Sequence, residues 1–157
     1  MSDETPIKVG DDAPDFELAS NTSGEKFKLS DYKGKNAVVI NFVPAAFSPV
    51  CSNQLPLIEA KVAEFASQDA IPVVVSVDNT WSQAAWKKEL GVSFAILADF
   101  NPKGAVSQAY DSFIASRGIS NRKVIVVDKH GKVAWIEAAA NPGQLPDYDP
   151  VMSCSKG

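Results

Sequence analysis

The chain reads as an α/β protein, with helices packed on a mixed β-sheet, and three observations carry that reading. Strand and helix signals alternate along the sequence, with no internal repeat and no low-complexity tract. Two continuous apolar runs, residues 37–43 and 71–77, suit central strands buried on both faces, since a strand with one wet face would alternate instead. Two further apolar runs joined by a short polar turn follow later, the pattern of a β-hairpin. Strands separated by helices and ending in a hairpin build a layered sandwich around one sheet. At 157 residues and 45% hydrophobic composition the chain can bury one full core, so residues 1–157 are read as a single domain.

The elements follow in order. Phe16-Glu17-Leu18 and Lys26-Phe27-Lys28-Leu29 flank the turn Asn21-Thr22-Ser23-Gly24 and predict an N-terminal β-hairpin. After the strand at 37–43, Leu55, Ile58, Val62 and Phe65 recur at helical spacing and form one apolar face. The strand at 71–77 comes next. Asp78 or Thr80 is placed to cap a helix running to about Leu90, where Gly91 stops it. Lys103 to Tyr110 predicts a short helix, and Lys123–Val127 pairs with Lys132–Glu137 across Asp128-Lys129-His130-Gly131. Residues 1–6 and about 146–157 are expected to be flexible or irregular, the latter stretch punctuated by Pro146 and Pro150.

Composition excludes several classes of function. The 15 basic residues are spread thinly against 19 acidic ones, for a net charge of −4, so no basic face is available for nucleic acid. No apolar stretch approaches the roughly 18 residues of a membrane span. The segment Met1-Ser2-Asp3-Glu4-Thr5-Pro6 is acidic and polar, unlike a signal peptide. Two cysteines, at 51 and 154, are too few for a secreted disulfide scaffold, and a cytoplasmic, reducing location is expected. Metal ligands are scattered and no phosphate loop is visible, so neither a metal nor a cofactor is expected.

The chemistry concentrates in Asn41-Phe42-Val43-Pro44-Ala45-Ala46-Phe47-Ser48-Pro49-Val50-Cys51. Cys51 stands just past an apolar strand, at what reads as the first turn of a helix. A helix N-terminus offers unpaired N–H groups and the positive end of the dipole, which favour thiolate over thiol. Ser48, three residues earlier, can turn its hydroxyl toward the sulfur or toward a substrate oxygen. Pro44, seven residues before the cysteine, exposes no N–H and stiffens the loop, shielding one side of the sulfur from water. Together they mark Cys51 as a nucleophile, where an unplaced buried cysteine would be inert. Pro56 cannot donate to the carbonyl of Ser52, so the turn bearing Cys51 is weakly held unless the regular helix begins at Pro56 itself.

That loop resembles the active-site loop of the peroxiredoxins, the alkyl hydroperoxide reductase/thiol-specific antioxidant family. The likeness continues through Val9-Gly10-Asp11-Asp12-Ala13-Pro14-Asp15-Phe16, Ser76-Val77-Asp78 with Trp86, and Leu97-Ala98-Asp99-Phe100. It ends with Asn121-Arg122-Lys123-Val124-Ile125-Val126-Val127-Asp128, which is similar to the strand carrying the family's active-site arginine. Gly104-Ala105-Val106-Ser107-Gln108-Ala109-Tyr110 and the Ser-Asn-Arg element look most like the alkyl hydroperoxide reductase E-like group. The resemblance implies a thioredoxin-like fold and thiol-dependent reduction of hydroperoxides. It implies that Arg122, more than Arg117 in the preceding polar loop, sits beside Cys51 and polarises the peroxide. The chain departs from the family in carrying Ser48 where threonine is commoner, which drops a rotamer-fixing methyl. It also carries Gln54 where many relatives have glutamate, which removes a carboxylate that could brace the arginine.

On this reading Cys51 thiolate becomes a sulfenic acid, and electrons come from an external thiol of thioredoxin-, glutaredoxin- or small-thiol type. Cys154, near the C-terminus, is a candidate resolving cysteine, although its surroundings lack the family's Val-Cys-Pro motif. A homodimer is the expected assembly, and Trp81, Trp86 and Phe94 are assigned to core or subunit packing. His130, the only histidine, falls in a tight polar turn and is read as solvated. Two alternatives remain. A redox sensor or thioredoxin-like binding protein would use Cys51 oxidation as a signal without turnover, and a thioredoxin-like reductase would want a Cys-x-x-Cys pair, whose upstream position Ser48 occupies.

Overall fold

The structure, a computed structural model, describes residues 6–139 and 144–155. Its strands are β1 (Glu17–Ala19), β2 (Lys26–Lys28), β3 (Ala37–Phe42), β4 (Ala70–Ser76), β5 (Ala95–Ala98), β6 (Phe113–Ile114), β7 (Ile119–Ser120), β8 (Lys123–Val127) and β9 (Val133–Ala138). The helices are α1 (Pro49–Glu59), α2 (Val62–Ser67), α3 (Thr80–Leu90), α4 (Ala105–Ala109) and α5 (Tyr148–Cys154). Seven strands form one mixed sheet in the order β2-β1-β5-β4-β3-β8-β9, and β6 and β7 form a small ribbon apart from it. This is the expected α/β arrangement, a mixed sheet flanked by helices, with the expected N-terminal hairpin of β1 and β2.

All six residues of β3 and all five of β8 are buried, as continuous apolar runs require. Alternation divides them between two cores. Val39, Val43, Val74, Val124 and Val126 face the side covered by α1, α2, α3 and α5. Val38, Ile40, Phe42, Val73, Val75, Ile125 and Val127 face Phe16, Phe27 and Tyr110 on the other.

Sheet direction is what assembles a site. β3, β4 and β5 run parallel, so the loops that follow them gather at one end of the strands. β8 runs antiparallel to β3 with Lys123 opposite Phe42, so the residue preceding β8 arrives at that same end. Sequence positions near 43–51 and 122 are thereby brought side by side.

Several local expectations need correction. Neither Asp78 nor Thr80 caps α3; Asn79 does, its side chain accepting from the Ser82 N–H. Asp78 is engaged elsewhere, accepting from the Ala46 N–H at 2.7 Å and tying the Cys51 loop to the end of β4. The stripe Leu55, Ile58, Val62, Phe65 spans two helices, because the Lys61 N–H turns back to Ile58 and its residue leaves helical geometry.

The largest correction lies at the tail. Residues 146–157 were expected to be irregular, yet Tyr148–Cys154 form α5, capped by Asp147 through the Asp149 N–H. Pro150 is tolerated because it falls in the first turn, where no intrahelical donor is needed. Tyr148, Val151, Met152 and Ser155 are buried at helical spacing, so tertiary docking holds a turn that local propensity would not. Residues 1–5 and 156–157 lie outside the described residues. Among the described residues no helix is long and apolar enough to cross a membrane.

Candidate active site

β3 ends at Phe42, and the Val43 N–H still bonds to β4 before the chain turns away through buried Pro44. Phe47 adopts a left-handed φ of 67°, unusual for a residue with a side chain, and sets its ring 6.4 Å from that of buried Trp86. Ser48 then takes the extended N-cap conformation with Pro49 as the first helical residue. Its hydroxyl makes no capping bond, which leaves it available to a ligand. Cys51 is the third helical residue, and its N–H belongs to the first turn, whose donors have no intrahelical acceptor.

The helix begins at Pro49, so Pro56 lies inside it and the reading in which α1 starts at Pro56 is ruled out. The carbonyl of Ser52 therefore lacks its usual partner four residues on, and the turn bearing the sulfur is held more loosely than an ordinary first turn. Trp86 steadies it from the side by donating its indole N–H to the Ser52 hydroxyl at 3.1 Å.

Cys51 is fully buried, and Arg122, 1% exposed, donates through Nη2 to its Sγ at 3.3 Å. The Ala139 N–H holds the Arg122 carbonyl, which fixes the arginine at the mouth of the β8–β9 hairpin. Alternation sends the next residue, Lys123, the opposite way, where its ammonium meets the Tyr110 carbonyl at 2.8 Å. A guanidinium cannot lose its proton at ordinary pH, so it presents a fixed positive charge to the sulfur and two parallel donors to any group bound beside it.

Structure thus brings Cys51 and Arg122 into contact, with Ser48 and Pro44 in the loop and cap that carry the sulfur. It does not bring in the rival groups. Arg117 is exposed in the turn between β6 and β7. His130 is exposed in the β8–β9 turn, separated from Arg122 by the length of β8, about 16 Å at 3.3 Å per residue. Cys154 is half-buried near the end of α5, off the stripe that docks that helix, and both cysteines are free. Trp86 and Phe94 are core residues, whereas Trp81 is 73% exposed. Among the described residues no group of three or more His, Cys, Asp or Glu side chains is arranged to hold a metal.

Three further residues complete the site. Gln54 accepts from Arg122 Nη1 through its amide oxygen, so a neutral amide braces the arginine where loss of that brace was expected. Its amide nitrogen donates to the Tyr148 hydroxyl at 2.8 Å, and that hydroxyl donates to Asn41 Oδ1 at 2.6 Å. Asn41 was visible in the sequence as the one polar residue in the apolar run at 37–43. Tyr148 carried no such signal.

The AhpC/TSA family profile matches residues 9–136 of the chain. The chain is 35% identical over 141 residues to alkyl hydroperoxide reductase E of Mycobacterium tuberculosis, covering 90% of this chain and 91% of that one. It is 31% identical to the thiol peroxidase of Oceanobacillus iheyensis, covering 93% and 87% respectively. Among solved structures, a peroxiredoxin-like protein from Aquifex aeolicus superposes with a TM-score of 0.85 at 25% identity, over 98% of this chain and 88% of that one.

Proposed function

The chain belongs to the AhpC/TSA family, and we propose that Cys51 is the sulfur that meets peroxide, with Arg122, Ser48 and Pro44 shaping its site. It is a thiol-dependent hydroperoxide reductase. The observation that supports this placement is the Arg122 guanidinium donating to the buried Cys51 sulfur at 3.3 Å, at a helix start.

The sulfur attacks the terminal oxygen of the hydroperoxide. An S–O bond forms as the O–O bond breaks, and sulfur gives up two electrons. The leaving oxygen departs as water or an alcohol after taking one proton. Arg122, the Cys51 N–H and the Ser48 hydroxyl are donors placed where negative charge develops, which is electrostatic preorganisation. One thiol then converts the sulfenic acid to a mixed disulfide with loss of water, and a second thiol restores Cys51. The reductant is an external thiol of thioredoxin-, glutaredoxin- or small-thiol type. The position of Cys154 off the docking face of α5 favours that over pairing within the chain. Given hydrogen peroxide and dithiothreitol, the protein is expected to consume many equivalents of peroxide per chain. Consumption that stops after one equivalent, with excess thiol present, would instead favour the redox-sensor reading.

The assembly proposed is a homodimer formed through the strand ends that carry the site. Phe47, Trp81 and Phe100 are 48%, 73% and 51% exposed, and each follows the end of one of the parallel strands β3, β4 and β5. Exposed large apolar side chains on the loops at one end of a sheet mark an interaction surface. Sedimentation at micromolar concentration is expected to give twice the mass of one chain, and Trp81→Ser to shift it toward the single chain. A single-chain mass for the unaltered protein would reject the dimer.

A further inference from the structure

The hydrogen bonds behind Arg122 form a line in which every donor direction is determined. Asn41, fully buried, donates through Nδ2 to the carbonyls of Val39 and Val73 at 3.2 and 3.0 Å. Carbonyl oxygens only accept, so the Asn41 amide has one orientation and its Oδ1 needs a donor. The Tyr148 hydroxyl supplies it. Burial pushes the Tyr148 ionisation far above its ordinary value, with the Gln54 bond and Arg122 pulling the other way, so the hydroxyl keeps its proton.

Having spent that one proton on Asn41, the Tyr148 oxygen faces Gln54 as an acceptor. Gln54 Nε2 donates to it, and this turns the Gln54 carbonyl toward Arg122. The opposite amide orientation would set the Gln54 NH2 against the guanidinium, donor against donor. It would also draw the Tyr148 proton away from Asn41 and leave Oδ1 buried without a partner. The backbone of β3 and β4 thus dictates, through Asn41 and Tyr148, which face of Gln54 meets the arginine that touches Cys51.

We propose that Tyr148, carried on α5, is a positioning residue for peroxide reduction: its hydroxyl fixes the orientation of Gln54 and so holds Arg122 on Cys51. This rests on the reading that Cys51 and Arg122 carry the reaction. It gives the C-terminal helix a role at the centre of the site through a hydroxyl bonded to Gln54 and Asn41.

A double-mutant cycle separates positioning from packing. Glutamate at position 54 presents a carboxylate oxygen to Arg122 in either orientation, so its contact with the arginine no longer needs Tyr148 to select it. Cys51 oxidation by hydrogen peroxide is followed by stopped-flow tryptophan fluorescence across pH in the unaltered protein, Tyr148→Phe, Gln54→Glu and the pair. Tyr148→Phe keeps the ring and is expected to slow oxidation roughly fivefold or more, the worth of about one hydrogen bond. In the Gln54→Glu background the same change is expected to cost no more than about twofold, the sign of coupling between neighbours. An unchanged rate in Tyr148→Phe overturns the proposal. An equal loss in both backgrounds overturns it too, since general loosening needs no amide to orient. If Tyr148→Phe does not fold, Asn41→Leu replaces it in the cycle, removing the acceptor that commits the tyrosine proton, with the same pattern expected. Absence of peroxide turnover in the unaltered protein would defeat the functional reading itself, and that outcome is distinct from the others.

Discussion

Replacing Cys51 with serine is expected to abolish peroxide turnover, while Cys154→Ser keeps it. A serine hydroxyl in the same place holds its proton at neutral pH, and no imidazole is at hand to remove it. The only histidine is exposed in the β8–β9 turn, a strand length away. The guanidinium that donates to the sulfur would have nothing charged to act on in an alcohol. Losing the nucleophile while the rest of the site stays in place typically costs several orders of magnitude, so a fall of about a thousandfold or more is anticipated. Peroxide consumption with dithiothreitol measures it, and retained activity in Cys51→Ser would sink the assignment.

The second half of that result bears on the reductant. Forming a disulfide needs the two sulfurs turned toward each other, and both cysteines are free here, Cys51 fully buried against Arg122 and Cys154 off the docking face of α5. α5 is held by Tyr148, Val151, Met152 and Ser155, and Tyr148 is bonded into the site itself. Turning Cys154 from the outer side of α5 toward Cys51 would disturb the packing that completes the active site, whereas an external thiol needs only the loosely held first turn of α1 to open. Treatment with one equivalent of peroxide and no thiol is expected to yield oxidised Cys51 without a Cys51–Cys154 link. A cross-linked peptide in the tryptic digest would reverse this view.

What could be read from the sequence was what is local. β3 and β4 announce themselves as unbroken apolar runs, and α3 by its stop at Gly91. Its cap is not decided by sequence because Asp78, Asn79 and Thr80 are all capping residues in a row, and only the bonds separate them, the Ala46 N–H donating to Asp78 and the Ser82 N–H to Asn79. Pro44, Ser48 and Cys51 were legible for the same reason: one loop and one helix start contain them. Arg122 is 71 positions from Cys51, and only resemblance to a family foretold their contact. The antiparallel run of β8 beside β3 is its physical cause. Tyr148 was invisible, being 94 residues from Gln54 and 107 from Asn41 on a tail whose prolines argued against a helix. At Gln54 the charge is gone but the brace is not, because an amide oxygen accepts from a guanidinium as a carboxylate does.

Arg122→Ala is expected to slow Cys51 oxidation by more than tenfold, at least about 1.4 kcal/mol of transition-state stabilisation. A unit charge some 4 Å from another is worth roughly 4 kcal/mol at the effective dielectric that suits protein sites. Retaining a third of that in the difference between ground and transition states already meets the bound. Charge alone is not the whole contribution, which Arg122→Lys can separate. An ammonium keeps the positive charge but is a single point, and it cannot reach both Cys51 Sγ and Gln54 Oε1 as the planar fork does. Lysine is therefore expected to fall between arginine and alanine, with the gap from arginine measuring orientation and the gap from alanine measuring charge. Arg117→Ala, in an exposed turn away from the sulfur, should leave the rate alone. Stopped-flow oxidation by hydrogen peroxide reads all three. If alanine at 122 oxidises as fast as arginine, the guanidinium serves only to fill the space between β8 and α1, and the hydrogen bonds running back through Gln54 to Tyr148 would have no reaction to support.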